Sequence, residues 1–391
     1  MTLSPPVDVR SATPVGQRSL APDLARGAML LLIALAHAHM FICHEQTGFR
    51  GYAVDAEPFE RLLTGAQVLL IDGRALPMFA ALFGYGLARL ADRQARTGAA
   101  WPETRRIVRR RSAWLLAFGF AHALLLFFGD ILAAYGLVGL VFTGLLVARD
   151  RTLFKVAALV SLAHIGVLVL LGLSAEAADH RTEQPTTIAD PLVALAMRLM
   201  TWSALTPTFY LVSILPAFVL GIWAARRRVL DEPGRHRRLL TRTALWGIVI
   251  SLVGGAPLML AETRLWEPET AAAVSAYALH SVTGLAAGLG YAALIALIAA
   301  RQADRTPGPL TRALAACGAR SLTCYLLQSV AFVAIFSPWA AGLGTQLSDA
   351  AASGIAVAVW AATVAIAAAM ARTGTRGPCE TLLRRLTYPR T

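Results

Sequence analysis

Six titratable side chains sit in or beside apolar stretches of this chain: His37, His39, Asp72, Arg74, His122 and Asp130. An imidazole titrates near neutral pH, so His37 or His122 suits a general base that takes a proton from a hydroxyl or amine. A carboxylate such as Asp72 or Asp130 can orient that imidazole, and the Arg74 guanidinium can stabilise a developing oxyanion. The same residue types also build proton relays. Plainer roles compete. Asp72 and Arg74 suit an ion pair at a broken helix, and Asp130 suits the N-cap of the helix that follows it. His39, two positions from His37, points to another helical face and reads as interfacial; His44 reads as solvated. His164 and His280 read as lone core histidines, although His280 lies at the depth of the cluster. Neither an H-E-x-x-H metal motif nor a G-x-S-x-G elbow nor a P-loop occurs, so no metal is expected. Cys43, Cys317, Cys324 and Cys379 lack metal-ligand spacing and do not suggest a disulfide framework.

The elements that must position these groups are membrane helices. The chain has 391 residues, 57% hydrophobic and 15% charged, with a net charge of +13; a soluble globular chain carries about 25% charged residues. Apolar runs of roughly 17–25 residues mark spans. Ten stretches qualify, at residues 25–43, 66–88, 112–128, 131–148, 156–173, 209–225, 244–260, 271–299, 322–339 and 350–371. With the N-terminus cytoplasmic, the inner segments collect 30 of the 36 basic residues, the asymmetry expected of a multi-pass protein. The charge is therefore a topology signal, and nucleic acid is not an expected partner. The predicted fold is all-α and polytopic, with about ten spans and both termini cytoplasmic. A cytoplasmic segment 1–24 would precede a transmembrane domain 25–371 and an amphipathic cytoplasmic tail 372–391. The first span mimics a cleavable signal peptide, but Asp23 and the polar residues beyond the run favour its retention. Gly73 and Pro77 predict a bend or break in span two. Residues 174–190 form the longest external loop, and residues 191–207, with Arg198 in the middle, suit an interfacial helix. On this topology all six titratable groups of the cluster fall in the outer half of the bundle.

Two polar stretches remain. Ser321, Thr323, Tyr325, Gln328 and Ser329 line span nine, where Tyr325 and Gln328 share a face and suit interhelical hydrogen bonding. Beyond Gly377-Pro378-Cys379-Glu380, leucines alternate with Arg384 and Arg385 in a short amphipathic pattern. Several motifs together resemble one family. They are Arg26-Gly27, Leu82-Phe83-Gly84, Gly119-x-x-His122 and Gly129-Asp130-Ile131-Leu132-x-x-Tyr135, followed by Gly318-x-Arg320-x-Leu322-Thr323-x-Tyr325-x-x-Gln328-Ser329 and Gly377-Pro378-x-Glu380-x-x-x-Arg384-Arg385-Leu386-Thr387-Tyr388. Their order is similar to that of the YeiB-like bacterial membrane proteins, which carry domain of unknown function 418. The resemblance runs along nearly the whole chain. It implies a multi-helix fold related to the membrane acyltransferases and residence in a bacterial inner membrane, while the family has no settled activity. The chain departs from the family pattern at Pro22, at His37 and at Cys324. Arg26-x10-His37 is in turn similar to the R-x10-H signature of acyltransferase-3 proteins.

The resemblance and the residues together suggest acyl transfer from a cytoplasmic thioester donor, acyl-CoA or similar, to a hydroxyl or amine acceptor at the outer side or in the membrane. Arg26 and the basic cytoplasmic loops, including Arg109 and Arg110, would attract the donor's phosphates. His37 or His122 would be the base, Asp72 or Asp130 its orienting carboxylate, and Arg74 the oxyanion partner. Expected partners are membrane lipids and a small-molecule, glycan or lipid acceptor; the oligomeric state is open. Two rivals stand beside this reading: a proton-coupled transporter or exporter, and a membrane scaffold that lost its chemistry.

Overall fold

The computed structural model describes residues 19–177, 184–302 and 306–388. Part of segment 1–24, part of the long external loop, and Arg10, Arg18, Arg181, Arg305 and Arg390 lie outside the described residues. The described chain is helical, with one isolated β-bridge between Thr47 and Ala53.

Helix α1 (Leu20–Ala38) ends in a short 3-10 turn, His39–Phe41. After an irregular segment, α2 (Pro58–Leu70) and α3 (Ala75–Arg96) form one long span with the break expected around Gly73, whose φ of 72° suits glycine. Helices α4 (Trp101–Leu125) and α5 (Leu132–Val141) make a hairpin, and α6 (Asp150–Ala177) follows. Helices α7 (Pro191–Leu205) and α8 (Leu211–Arg226) join through a π-turn at Thr206–Tyr210 into one span, so residues 191–207 are not a separate interfacial helix. Then come α9 (Arg237–Glu262), α10 (Thr270–Arg301), α11 (Pro309–Ala319), α12 (Ser321–Phe336), α13 (Asp349–Arg372) and α14 (Pro378–Thr387).

Among the described residues, seven helices are long and apolar enough to cross a membrane, or eight if α11 and α12, bent by 86°, count as one span. The protein is thus an all-α, multi-pass membrane protein, and the tally differs from the ten apolar stretches. Stretches three and four account for much of the difference. The first half of α4 is rich in arginine, and α5 stops after 10 residues, about 15 Å at 1.5 Å per residue. Just beyond α5 the Thr143 hydroxyl bonds back to the Gly139 carbonyl, offering the backbone an alternative to the helical ladder. Leu159, Leu162 and Leu170 of α6 are exposed, as expected of side chains facing lipid.

Between apolar helices in lipid, small residues permit close packing. At the α3–α8 crossing, a Cβ on Gly84 would lie 2.1 Å from the Phe218 carbonyl oxygen, and one on Gly221 would lie 2.0 Å from that of Ala81. Helices α1 and α11 cross as tightly through Gly27 and Gly318. The basic segments meet at one end of the bundle: Arg89 pairs with Asp231 (2.9 Å), Arg226 with Asp150 (2.8 Å), and Arg110 Nε donates to the Leu386 carbonyl (2.7 Å). There α14 packs on α4 and α12. Its Glu380 carboxylate accepts from the backbone N–H groups of Leu322 (2.8 Å) and Thr323 (3.1 Å), and so caps α12 from another helix.

Candidate functional site

The irregular stretch between α4 and α5 carries Asp130, which is fully buried. Its Oδ2 accepts from the Ala133 N–H at 2.6 Å, so the expected cap role is present. Its Oδ1 lies 2.9 Å from Nδ1 of His122, one face of α4 away. Gly119, one turn below His122, allows this approach: a Cβ there would stand 2.1 Å from Ala133 N and 2.3 Å from Asp130 Oδ2. Asp130 Oδ1 and His122 Nδ1 approach as a close ion pair without hydrogen-bond geometry. The other ring nitrogen, Nε2, faces the Ser329 hydroxyl of α12 at 2.8 Å. His122, Asp130 and Ser329 are all buried. Carboxylate, imidazole and hydroxyl therefore stand in a row, each within 3 Å of the next.

Aromatic rings enclose it. The Tyr325 ring lies 4.9 Å from His122 between centroids, and 6.2 Å from His37. His37 packs on Phe127 at 4.3 Å and, unlike the relay residues, keeps part of its surface accessible. The structure thus gathers His37, His122 and Asp130 around Tyr325. The carboxylate belongs to His122.

Asp72 and Arg74 form another group, around the break between α2 and α3. Asp72 Oδ2 accepts from the Tyr52 hydroxyl (2.9 Å) and from Arg50 Nε (3.5 Å). Arg74 bonds the Asp72 carbonyl, His280 Nε2 and the Ser251 carbonyl. His280 does join a cluster, as its depth suggested, but it is this one. The irregular segment 42–57 supplies Arg50 and Tyr52, and its backbone is tied to Glu262 and Asp349: Arg50 N–H donates to Glu262 (3.1 Å), and Ala53 N–H to Asp349 (3.2 Å). Burial, reinforced by Asp72, pushes the Tyr52 hydroxyl well above the usual tyrosine range, so it stays a donor. His39 is buried rather than interfacial, stacked on Tyr52 at 4.2 Å, and His44 pairs with Asp349 at 3.1 Å instead of being solvated. This network pins the irregular segment 42–57 into the bundle.

At the basic end, Arg105, Arg106, Arg109 and Arg110 of α4 line an open groove of about 550 Å³ with Trp101, Ala113 and Leu140. Arg26 does not line it; its guanidinium pairs with Asp23 (3.0 Å) and donates to the Leu82 carbonyl (3.4 Å). Among the described residues no group of three or more His, Cys, Asp or Glu could hold a metal ion.

Residues 224–390 match the family described as protein of unknown function DUF418. That region holds Ser329 and Glu380, while His37, His122 and Asp130 precede it. Over a longer stretch the chain is similar to the uncharacterized protein YxaH of Bacillus subtilis, at 27% identity over 81% of this chain and 80% of the relative. It is also similar to the uncharacterized protein YeiB of Escherichia coli, at 33% identity over 44% of this chain and 43% of that protein. The YeiB-like resemblance read from the motifs is thereby upheld, including those around Ser329 and Glu380.

Sequence reasoning treated Ser329 as helix-packing glue and passed over Arg50 and Tyr52. The signal for Ser329 was present, since its motif follows Tyr325 and Gln328. Its partner lies 207 positions away and is visible only in three dimensions.

Proposed function

We propose that this protein is a transmembrane acyltransferase that moves an acyl group from a thioester donor to a hydroxyl or amine acceptor. The observation that carries the reading is the buried Asp130–His122 ion pair, with Nε2 beside the Ser329 hydroxyl and the Tyr325 ring packed on the imidazole. His122 acts as general base, and Asp130 stabilises the imidazolium. His37, on the accessible side of Tyr325, faces the acceptor. Asp72 and Arg74 hold segment 42–57, and their contribution to chemistry is indirect.

The arginine groove is the candidate site for the donor's anionic head, with Arg109 and Arg110 in it; Arg26 steadies the start of α1. Arg110 precedes His122 by twelve residues on α4, about 18 Å along the helix. A donor held at both places needs a long flexible arm between head and thioester, which is the build of acyl-CoA and related carriers. In this reading the groove faces the cytoplasm of a bacterial inner membrane, and the acceptor is a lipid, glycan or small molecule reached from the outer half.

Thermal unfolding of the purified protein with acetyl-CoA and palmitoyl-CoA tests the donor. A carrier at 100 times its Kd should add about 2.7 kcal/mol of stability, and acyl-pantetheine or free fatty acid, which lack the phosphates, should add much less. No stabilisation by any thioester, together with proton-linked substrate flux in liposomes, would replace this reading by transport.

A further inference from the structure

We propose that Ser329 is the nucleophile that carries the acyl group as a covalent ester between donor and acceptor; this rests on the acyl-transfer reading above. Helical serines and threonines in lipid ordinarily satisfy their proton on the carbonyl four residues back. This protein shows the habit repeatedly: Ser203, Ser275 and Thr283 donate to that carbonyl at 2.7 Å, and Ser353 at 2.8 Å. Ser329 keeps only a long version of it. Its distance to the Tyr325 carbonyl is 3.4 Å, whereas His122 Nε2 stands at 2.8 Å. The imidazole is thus the nearer of the two partners of the Ser329 hydroxyl.

Ser213 provides an internal contrast. Its hydroxyl also lies near an imidazole, 2.9 Å from His164, but it bonds the Phe209 carbonyl at 2.6 Å. No acidic residue pairs with His164 among the described ion pairs. Only the Ser329 pair is backed by a carboxylate, and that carboxylate is itself fixed by a backbone N–H. Hydroxyl, imidazole and carboxylate come from α12, α4 and the turn before α5, so three separate elements converge to build the relay.

The reaction balances in two halves. Ser329 Oγ attacks the thioester carbonyl as its proton passes to His122 Nε2; the C–S bond breaks, and the same proton leaves with the thiolate as free thiol. The acceptor hydroxyl or amine then attacks the Ser329 ester. Its proton goes to Nε2 and returns to Ser329 Oγ as the ester C–O bond breaks. Asp130 touches neither substrate and is a positioning residue.

The test uses the full chain in detergent or nanodiscs, with a fluorophosphonate probe and, separately, acetyl-CoA and palmitoyl-CoA, read by peptide mass spectrometry. The proposal expects one adduct, on the peptide bearing Ser329. It should fall to background in Ser329→Ala and in His122→Ala, persist in Ser213→Ala, and return with Ser329→Cys as an acyl thioester. Unchanged thermal unfolding of Ser329→Ala would confirm that the variant is folded. An unlabelled wild-type protein, or a label that survives in Ser329→Ala, overturns the proposal. Acyl transfer that continues in Ser329→Ala but stops in His122→Ala also overturns it, in favour of direct transfer, and leaves the acyltransferase reading standing. Fluorophosphonate labelling of Ser329 without acylation by any thioester supports the nucleophile and overturns the thioester reading.

Discussion

Replacing Gly119 with alanine places a methyl group where α4 meets the turn that carries Asp130. The new Cβ would lie 2.1 Å from Ala133 N and 2.3 Å from Asp130 Oδ2, against an ordinary contact of 3.4 Å or more. The start of α5 must then withdraw by about 1 Å, because backbone atoms of a packed interior cannot turn aside as a flexible side chain would. Asp130 moves with it. A His122–Asp130 ion-pair distance of 2.9 Å would grow toward about 4 Å, weakening the attraction between carboxylate and imidazole. Overpacking of this kind costs about 1–3 kcal/mol of stability, and a misplacement of about 1 Å at a reacting centre costs about 10²-fold in rate. Two measurements follow the two effects: thermal unfolding, and the rate of fluorophosphonate labelling at Ser329. Gly166→Ala is the control, since nothing lies within 4 Å of its Cβ; it should leave both unchanged or stabilise slightly through helix propensity. If Gly119→Ala melts and labels like the wild type, the close approach of α4 to Asp130 does not position the relay, and the reasoning fails.

Other perturbations address the supports of the site. Glu380→Ala removes the carboxylate that caps α12 and should cost about 1–2 kcal/mol in thermal or denaturant unfolding; a variant as stable as the wild type would dissociate α14 from that cap. Tyr52→Phe removes a donor to buried Asp72 and should loosen segment 42–57, making a cysteine placed at Thr47 react faster with a bulky maleimide. Changing Arg105, Arg106, Arg109 and Arg110 together to glutamine should weaken acyl-CoA binding and flatten its salt dependence, with little effect on fluorophosphonate labelling at Ser329. Equal loss in both readouts would mean that the arginines hold the fold rather than the donor.

Much of this arrangement was legible in the sequence, and the gaps have physical causes. Apolar runs located the helices, and Gly73 foretold the break between α2 and α3, because helix length and glycine conformation are local properties. Composition marks two apolar stretches at the α4–α5 hairpin, whereas the arginine-rich first half of α4 and the 10-residue length of α5 appear only in the folded chain. Helix α11, with Thr311, Arg312 and a glycine, lacks an uninterrupted apolar run and was missed. Grouping His37, His122, Asp72, Arg74 and Asp130 by depth used the one coordinate that residue counting supplies. Azimuth around the bundle was not available, and it separates Asp72 and Arg74 from the His122 relay. Asp130 illustrates the limit from the other side: its cap role was local and readable, while its pairing with His122 depends on the hairpin closing through Gly119.

The central claim is that His122, held by Asp130, is the base of an acyl transfer. Its most direct test is transfer of radiolabelled acyl groups from acetyl-CoA and palmitoyl-CoA to lipid and glycan acceptors in proteoliposomes, comparing the wild type with His122→Ala. The account predicts transfer by the wild type and a loss of about 10²–10⁴-fold in the variant. Wild-type rates in His122→Ala, or no transfer by the wild type from either donor, would contradict it.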